Sequence, residues 1–135
     1  MVKKLVLVLC DVSAGVGKAQ YDLLQEYFRT DPYVDWAFSW PTTIEEAKSF
    51  FDAPAPGVTH VLIASVMNLG TDKVAKLVRW LRSSVKAEER RQRFAGPIIV
   101  ASADEDCQAA VVKAGADYAI PKSAIRSLLF HIRTS

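Results

Sequence analysis

Apolar runs and amphipathic stripes alternate five times along this chain, and that alternation narrows the fold more than any single residue does. Leu5 to Cys10 is an unbroken apolar run rich in β-branched residues, the pattern of a strand covered on both faces. Val16, Ala19, Leu23, Tyr27 and Phe28 then recur at helical spacing until Asp31-Pro32, because the residue before a proline is pushed out of the helical region. Val34 to Ser39 predicts a second, less buried strand. Pro41 to Glu46 opens a helix whose capping box fits either of two registers, Thr42 with Glu45 or Thr43 with Glu46. Ile44, Ala47, Phe50 and Phe51 form its stripe. After the breakers from Asp52 to Gly57, Val58 to Val66 predicts a third strand. A helix with Thr71 as its cap follows, striped by Val74, Leu77, Val78, Leu81 and Val85, with Lys73, Lys76, Arg79 and Arg82 facing away. Ile98 to Ala101 and Ala116 to Ile120 are strands four and five. Between them runs a helix striped by Cys107, Ala110, Val111 and Ala114, stopped by Gly115 at its C-cap. Ser123 caps a last helix carrying Ile125, Leu128, Leu129 and Ile132. Units in this order predict an α/β domain, a doubly wound five-stranded parallel sheet with helices on both faces and right-handed crossovers.

The size fits one domain, 1–135, and a hydrophobic share of 50% is enough for a core. With 17 Lys and Arg against 15 Asp and Glu, the net charge of +2 neither demands nor excludes an anionic partner. The 2 cysteines make no disulfide framework and no zinc site by themselves. Cys10 and Cys107 are read as small core residues. No apolar run approaches the ~18 residues that a bilayer crossing needs. The basic, then apolar start halts at Asp11 without a small-residue cleavage site. It is read as the buried first strand of a cytoplasmic protein rather than as a signal peptide. His60 and His131 are far apart and form no catalytic or metal pair. Trp36, Trp40 and Trp80 are assigned to core or interface, with Trp40 at a strand exit beside Pro41.

In open parallel sheets, chemistry collects at the C-terminal ends of the strands. Cys10, Asp11, Ser65, Ser102 and Lys122 each stand at such an end or just past it. Gly15-Val-Gly17-Lys18 invites a phosphate-loop reading, but that pattern needs glycine at 12 and Ser or Thr at 19, where Val12 and Ala19 stand. The dinucleotide fingerprint fails at Gln20. Gly15 and Gly17 are read as a tight entry into the first helix.

Two stretches carry more than pattern. Pro97-Ile-Ile-Val-Ala-Ser-Ala103, followed by Lys113-Ala-Gly-Ala-Asp-Tyr-Ala-Ile-Pro-Lys122, resembles the last third of a response-regulator receiver domain of the CheY-like superfamily. Element order and length extend the resemblance over essentially the whole chain. It implies a flavodoxin-like sheet of order 2-1-3-4-5. Receivers hold magnesium on an acidic pair after strand one and a phosphoacceptor aspartate after strand three. A Ser or Thr after strand four and a Lys after strand five contact the phosphoryl group, and an aromatic switch residue lies three positions before that lysine.

Carried onto this chain, Ser102 takes the hydroxyl position and Lys122 the lysine position. Asp11 takes the second acidic slot, with Cys10 in the first. Along Thr59-His-Val-Leu-Ile-Ala-Ser65 the phosphoacceptor slot falls at Ser65, and a shift of one residue puts Ala64 or Val66 there. None of the three is an aspartate. Ala119 fills the switch slot, with Tyr118 one position early. Magnesium wants several carboxylate and water oxygens, and one carboxylate makes a poor site. A serine hydroxyl is a weak nucleophile without an adjacent base. Asp11 is read as a loop cap or a residual ion ligand, Lys122 as its ion-pair partner, and Ser102 as a hydroxyl bonded to backbone.

The resemblance therefore implies an atypical receiver in two-component or phosphorelay signalling, a non-enzymatic module without aspartate phosphorylation, without cofactor and with at most a weak magnesium site at Asp11. Its partners would be a histidine kinase, an output domain or another signalling protein. A second copy of the chain could use the fourth-helix, fifth-strand and fifth-helix face, roughly Asp104–Ala114, Asp117–Ile120 and Ser123–Ile132. Two alternatives stay open: phosphorylation at a non-standard site, and a small enzyme or nucleotide binder on the same fold. One further feature is the run from Lys73 to Arg93, with eight basic residues against Glu88 and Glu89, a local balance of +6. It is read as a solvated helix face or a patch for an acidic protein. It is read as having no interleaved aromatics for base stacking, so nucleic acid is the lesser option. The stretch from Ser83 to Phe94 is longer than a plain receiver needs and predicts an extended helix or a charged loop.

Overall fold

The structure, a computed structural model, describes residues 2–9, 25–41, 43–51, 57–63, 70–84, 93–102, 104–121, 130 and 132–133. In chain order it contains β1 (Val2–Leu9), β2 (Val34–Ser39), α1 (Ile44–Ser49), β3 (Val58–Ile63), α2 (Thr71–Arg82), β4 (Ile98–Ala101), α3 (Glu105–Ala114) and β5 (Tyr118–Ile120). Residues 25–29 are also helical, ahead of β2. The five strands form one parallel sheet in the order β2-β1-β3-β4-β5, as expected of a doubly wound, flavodoxin-like fold.

Successive side chains of a strand point to opposite faces, and the core divides accordingly. Leu7, Leu9, Val61, Ile63, Ile98 and Val100 pack on one face beneath α1, α2 and α3. Val6, Val8, Leu62, Ile99 and Ala101 pack on the other, with Phe28 and Ile132. The central strands are therefore apolar on both sides, which explains their unbroken apolar runs. Aromatic rings close the second face: Phe28 lies 4.7 Å from Trp36 and 5.6 Å from Phe38, between ring centroids. Trp40 sits over Phe38 at 6.1 Å as part of this layer.

One irregularity fixes the register of β1 on β3. Leu5 is opposite Val58 and Val6 is opposite His60, so Thr59 is the extra residue of a bulge. Its hydroxyl replaces the missing ladder bonds, accepting from Leu5 N and donating to Leu5 O, both at 3.0 Å. A hydroxyl has one proton and two lone pairs, so the Nδ1 of His60, 2.9 Å away, donates to it. His60 thus lies inside β3, fully buried, as a structural residue.

The caps agree with the sequence in part. Thr43 is the N-cap of α1 and accepts from Glu46 N at 3.1 Å, which selects the second of the two capping registers. Phe50 and Phe51 lie past the end of α1 yet still pack on the core. Thr71 is not the cap of α2; Gly70 is, at φ +93, where a side chain would be strained, and Thr71 becomes the first helical residue. That helix ends at Arg82 with Ser83 as its C-cap, short of Val85. Asp104 caps α3 through Asp106 N, and Gly115 ends it at φ +123. β1 starts at Val2 rather than Leu5, because Lys3 and Lys4 pair with Asp35 and Trp36 of β2.

Arg82 corrects a sequence expectation. It does not face away from the core but folds back across the end of the sheet. Its guanidinium donates to Gly115 O (3.0 Å), Phe94 O (2.9 Å) and Gly96 O (2.8 Å), and to Asp117 Oδ2 (2.7 Å). The same carboxylate oxygen accepts from Ile98 N at 2.8 Å. β5 begins at Tyr118 rather than Ala116, and Asp117 ties its start to β4 twice, its N–H donating to Ile98 O at 2.9 Å and its carboxylate accepting from Ile98 N. The arginine stem also fills the space above Gly115, where an added Cβ would lie 2.7 Å from Arg82 Cγ.

Before β2, Asp31 ties the chain together. Its carboxylate accepts from the Trp36 indole N–H at 3.0 Å and from Tyr33 N at 2.9 Å, and Arg133 stands 3.6 Å away. The indole bond above all, then the Tyr33 amide, hold its pKa below the ordinary value of 3.8. A depressed carboxylate contributes stability above that ordinary value and loses it as pH falls through the lower folded value. Asp31→Asn is therefore expected to be less stable than the parent at neutral pH. The two should converge in strong acid, in urea melts run across that range.

Candidate functional site

Strand register brings the C-terminal ends of β1, β3, β4 and β5 to one edge of the sheet. Leu9 is opposite Ile63, Ile63 is opposite Val100, and Ala101 is opposite Ile120. This is the edge where open parallel sheets hold ligands. Among the sequence-predicted site residues, Ser102 and Ala119 are described. Asp11 and Cys10 after β1, Ala64, Ser65 and Val66 after β3, and Lys122 after β5 lie outside the described residues, as does any Asp11–Lys122 ion pair.

Ser102 is 1% exposed. Its N–H donates to Ile120 O at 2.8 Å, locking the end of β4 to the end of β5. Its hydroxyl accepts from Asp104 N at 3.2 Å, and its carbonyl accepts from the Gln108 side chain at 2.6 Å. The hydroxyl thus bonds to backbone, as the sequence suggested, and shapes the turn into α3. One acceptor bond leaves its proton and a second lone pair for another partner.

Ala119 lies opposite Val100 and packs partly buried against the core on the α3 side. Tyr118 has the parity of Ile120, which packs on the other face. It therefore cannot stand in for an aromatic at position 119. With only a methyl group there, α3 and β5 leave a shallow groove of about 670 Å³ lined by Glu105, Gln108, Ala109, Val112, Lys113 and Ala119. Val112, 50% exposed, is its main apolar contact.

Among the described residues no cluster of His, Cys, Asp and Glu is arranged to hold a metal ion, and no helix is long and apolar enough to cross a membrane. Cys107 is a buried free thiol, as expected of a core residue. Sequence reasoning missed Arg82 as a structural residue and missed the setting of Trp80. That ring carries the Lys48 ammonium at 5.1 Å and the Arg93 guanidinium at 4.6 Å, with Phe51 edge-on at 6.1 Å. The run from Lys73 to Arg93 held the signal, an aromatic residue inside a basic tract.

No protein-family model matches the sequence, and no curated protein matches it. Solved structures do. A Mn(2+)-bound form of response regulator Rcp1 is similar with a TM-score of 0.66 and 17% identity, over 97% of this chain and 92% of that one. The phosphorylated cyanobacterial phytochrome response regulator RcpA also gives 0.66, at 21% identity over 96% and 88%. Response regulator RPA3017, in red light signalling of R. palustris, gives 0.64 at 19% identity over 97% and 90%. What this chain shares with these response regulators is the receiver fold, along nearly its entire length.

Proposed function

We propose that this chain is an atypical receiver-type signalling domain that acts by protein–protein contact and carries no acyl phosphate. One observation carries the reading. The stretch leaving β3, at the centre of a receiver-shaped sheet, is Ala64-Ser65-Val66 and contains no carboxylate. Acyl-phosphate chemistry requires a carboxylate oxygen as nucleophile, and an unassisted serine hydroxyl is a poor substitute. The donor set around it fits a magnesium ion badly, since Asp11 is the one carboxylate among the family's three metal positions. No step is therefore assigned to a metal.

A module of this kind would signal through its surface. The α3–β5 groove, with Val112 exposed and a small residue at 119, suits contact with a histidine kinase, an output domain, another signalling protein or a second copy of this chain. Incubation with a small phosphodonor and magnesium is expected to leave the intact mass unchanged. Gain of one phosphoryl group, stable or labile to acid, would refute the proposal and point to a non-standard acceptor. Nucleotides are expected to leave the melting midpoint where it is, because a ligand that binds only the folded form must raise it.

A further inference from the structure

Among the described helices, α2 carries the most one-sided charge. Val74, Ala75, Leu77, Val78 and Leu81 are buried against the sheet, while Lys73, Lys76 and Arg79 are exposed on the far side. At 1.5 Å rise per residue these three cations form a ladder with steps of about 4.5 Å. The ion pairs seen among the described residues lie elsewhere, at Arg82–Asp117 and Arg133–Asp31. Arg82, next on the helix, is turned inward. At the far end of the ladder the positive surface continues through Lys48 and Arg93, both fixed on the Trp80 ring. Arg93 is further held by Ser83 Oγ and Ser84 O, each at 3.2 Å.

This arrangement only partly suits the helix that bears it: Asp72 in the first turn and Arg79 in the last agree with its dipole. Lys73–Lys76 and Lys76–Arg79 are like-charge pairs at i, i+3. Lys73 also lies in the first turn, where the helix dipole disfavours a cation. Three exposed cations against the one carboxylate of Asp72 leave this face net positive, and a negative counterpart would complement it. We infer that the Lys73–Lys76–Arg79 ladder, extended by Lys48 and Arg93, is a docking surface for an acidic protein helix. Glutamates three residues apart on such a helix repeat at the ladder's own step. Nucleic acid fits less well, because Trp80 already holds two cations and none of the exposed large apolar residues of the described chain lies on α2. The surface is separate from the α3–β5 groove, and its existence does not depend on the signalling reading above.

The experiment titrates the full chain with a labelled helical peptide bearing glutamates at every third and fourth position, and in parallel with single-stranded oligo-dT. Backbone amide NMR follows the unmodified chain. The peptide is expected to bind in a salt-sensitive manner and to shift the amides of 48, 73, 76, 79 and 93. Lys73→Glu/Lys76→Glu/Arg79→Glu should weaken binding by about tenfold or more, as expected for the reversal of three exposed charge pairs, while Lys3→Glu leaves it unchanged. The inference is overturned if the shifts fall elsewhere, if nothing binds, if the triple variant binds equally well, or if oligo-dT binds this face more tightly than the peptide. The shift map needs no variant, so it decides the matter even where the triple variant fails to fold.

Discussion

Arg82→Ala is expected to lower the unfolding free energy by about 3 kcal/mol, near the lower end for breaking a buried charged network. Three carbonyls lose their donor at once, those of Phe94, Gly96 and Gly115. A polar group left without its partner out of water costs about 1–3 kcal/mol. The Arg82 side chain is 15% exposed but that of Asp117 is 45%, so water takes over part of the carboxylate's needs and keeps the loss from growing larger. In a thermal melt the same loss corresponds to about 12 °C for a domain of this size. Arg82→Lys should recover less than half of it, because an ammonium cannot reproduce the fork that reaches four acceptors. Urea unfolding of the three proteins checks both statements, and a loss under about 1 kcal/mol for the alanine variant would show that solvent replaces the guanidinium.

The second large effect is expected at Phe28. This ring is 1% exposed and joins the 25–29 helix to β2 through Trp36 and Phe38, with Tyr27 edge-on at 5.3 Å. Phe28→Ala removes buried area and leaves a cavity among rings that cannot easily collapse, for a cost of about 4 kcal/mol. Phe28→Leu keeps most of the volume and should cost about 1.5 kcal/mol or less. Tryptophan emission offers an independent reading, since Trp36 loses its closest aromatic neighbour and gains access to water in the alanine variant.

These two residues illustrate what was legible in advance. Phe28 sits on a helical stripe, so its burial could be read from spacing alone, as could the strands β2 and β4 and the stop at Gly115. Periodicity reports which face of an element meets the core. It does not report strand order, which came from the resemblance around Ser102 and Lys122. Arg82 escaped because its partners lie 12, 14, 33 and 35 residues away, and on a helix wheel it falls among solvated cations. The same network explains the Gly-Ala-Asp stretch at 115–117 as packing chemistry: glycine makes room for the arginine stem and aspartate takes its charge. Thr71 misled because a threonine before a helix matches a cap so well, whereas the backbone turn at Gly70 sets the true start. Of the candidate site, Ser102 and Ala119 stand where their sequence positions put them, just past β4 and within β5. The electrostatic setting of Trp80 depends on Lys48, which belongs to another helix, and no local pattern reports that.

The placement of β2 at the margin of the sheet has a consequence for how the protein behaves in concentrated solution. Among the described residues its outer side carries no neighbouring strand, and Val34-Asp35-Trp36-Ala37-Phe38 is otherwise an apolar, β-prone segment. Such a border can recruit another chain into a growing intermolecular sheet. Asp35, exposed in the middle of it, is the lone charge that interrupts the stretch. That carboxylate is placed to act as a gatekeeper, a charge that contributes little to the packing beneath it but opposes the addition of a second chain at this border.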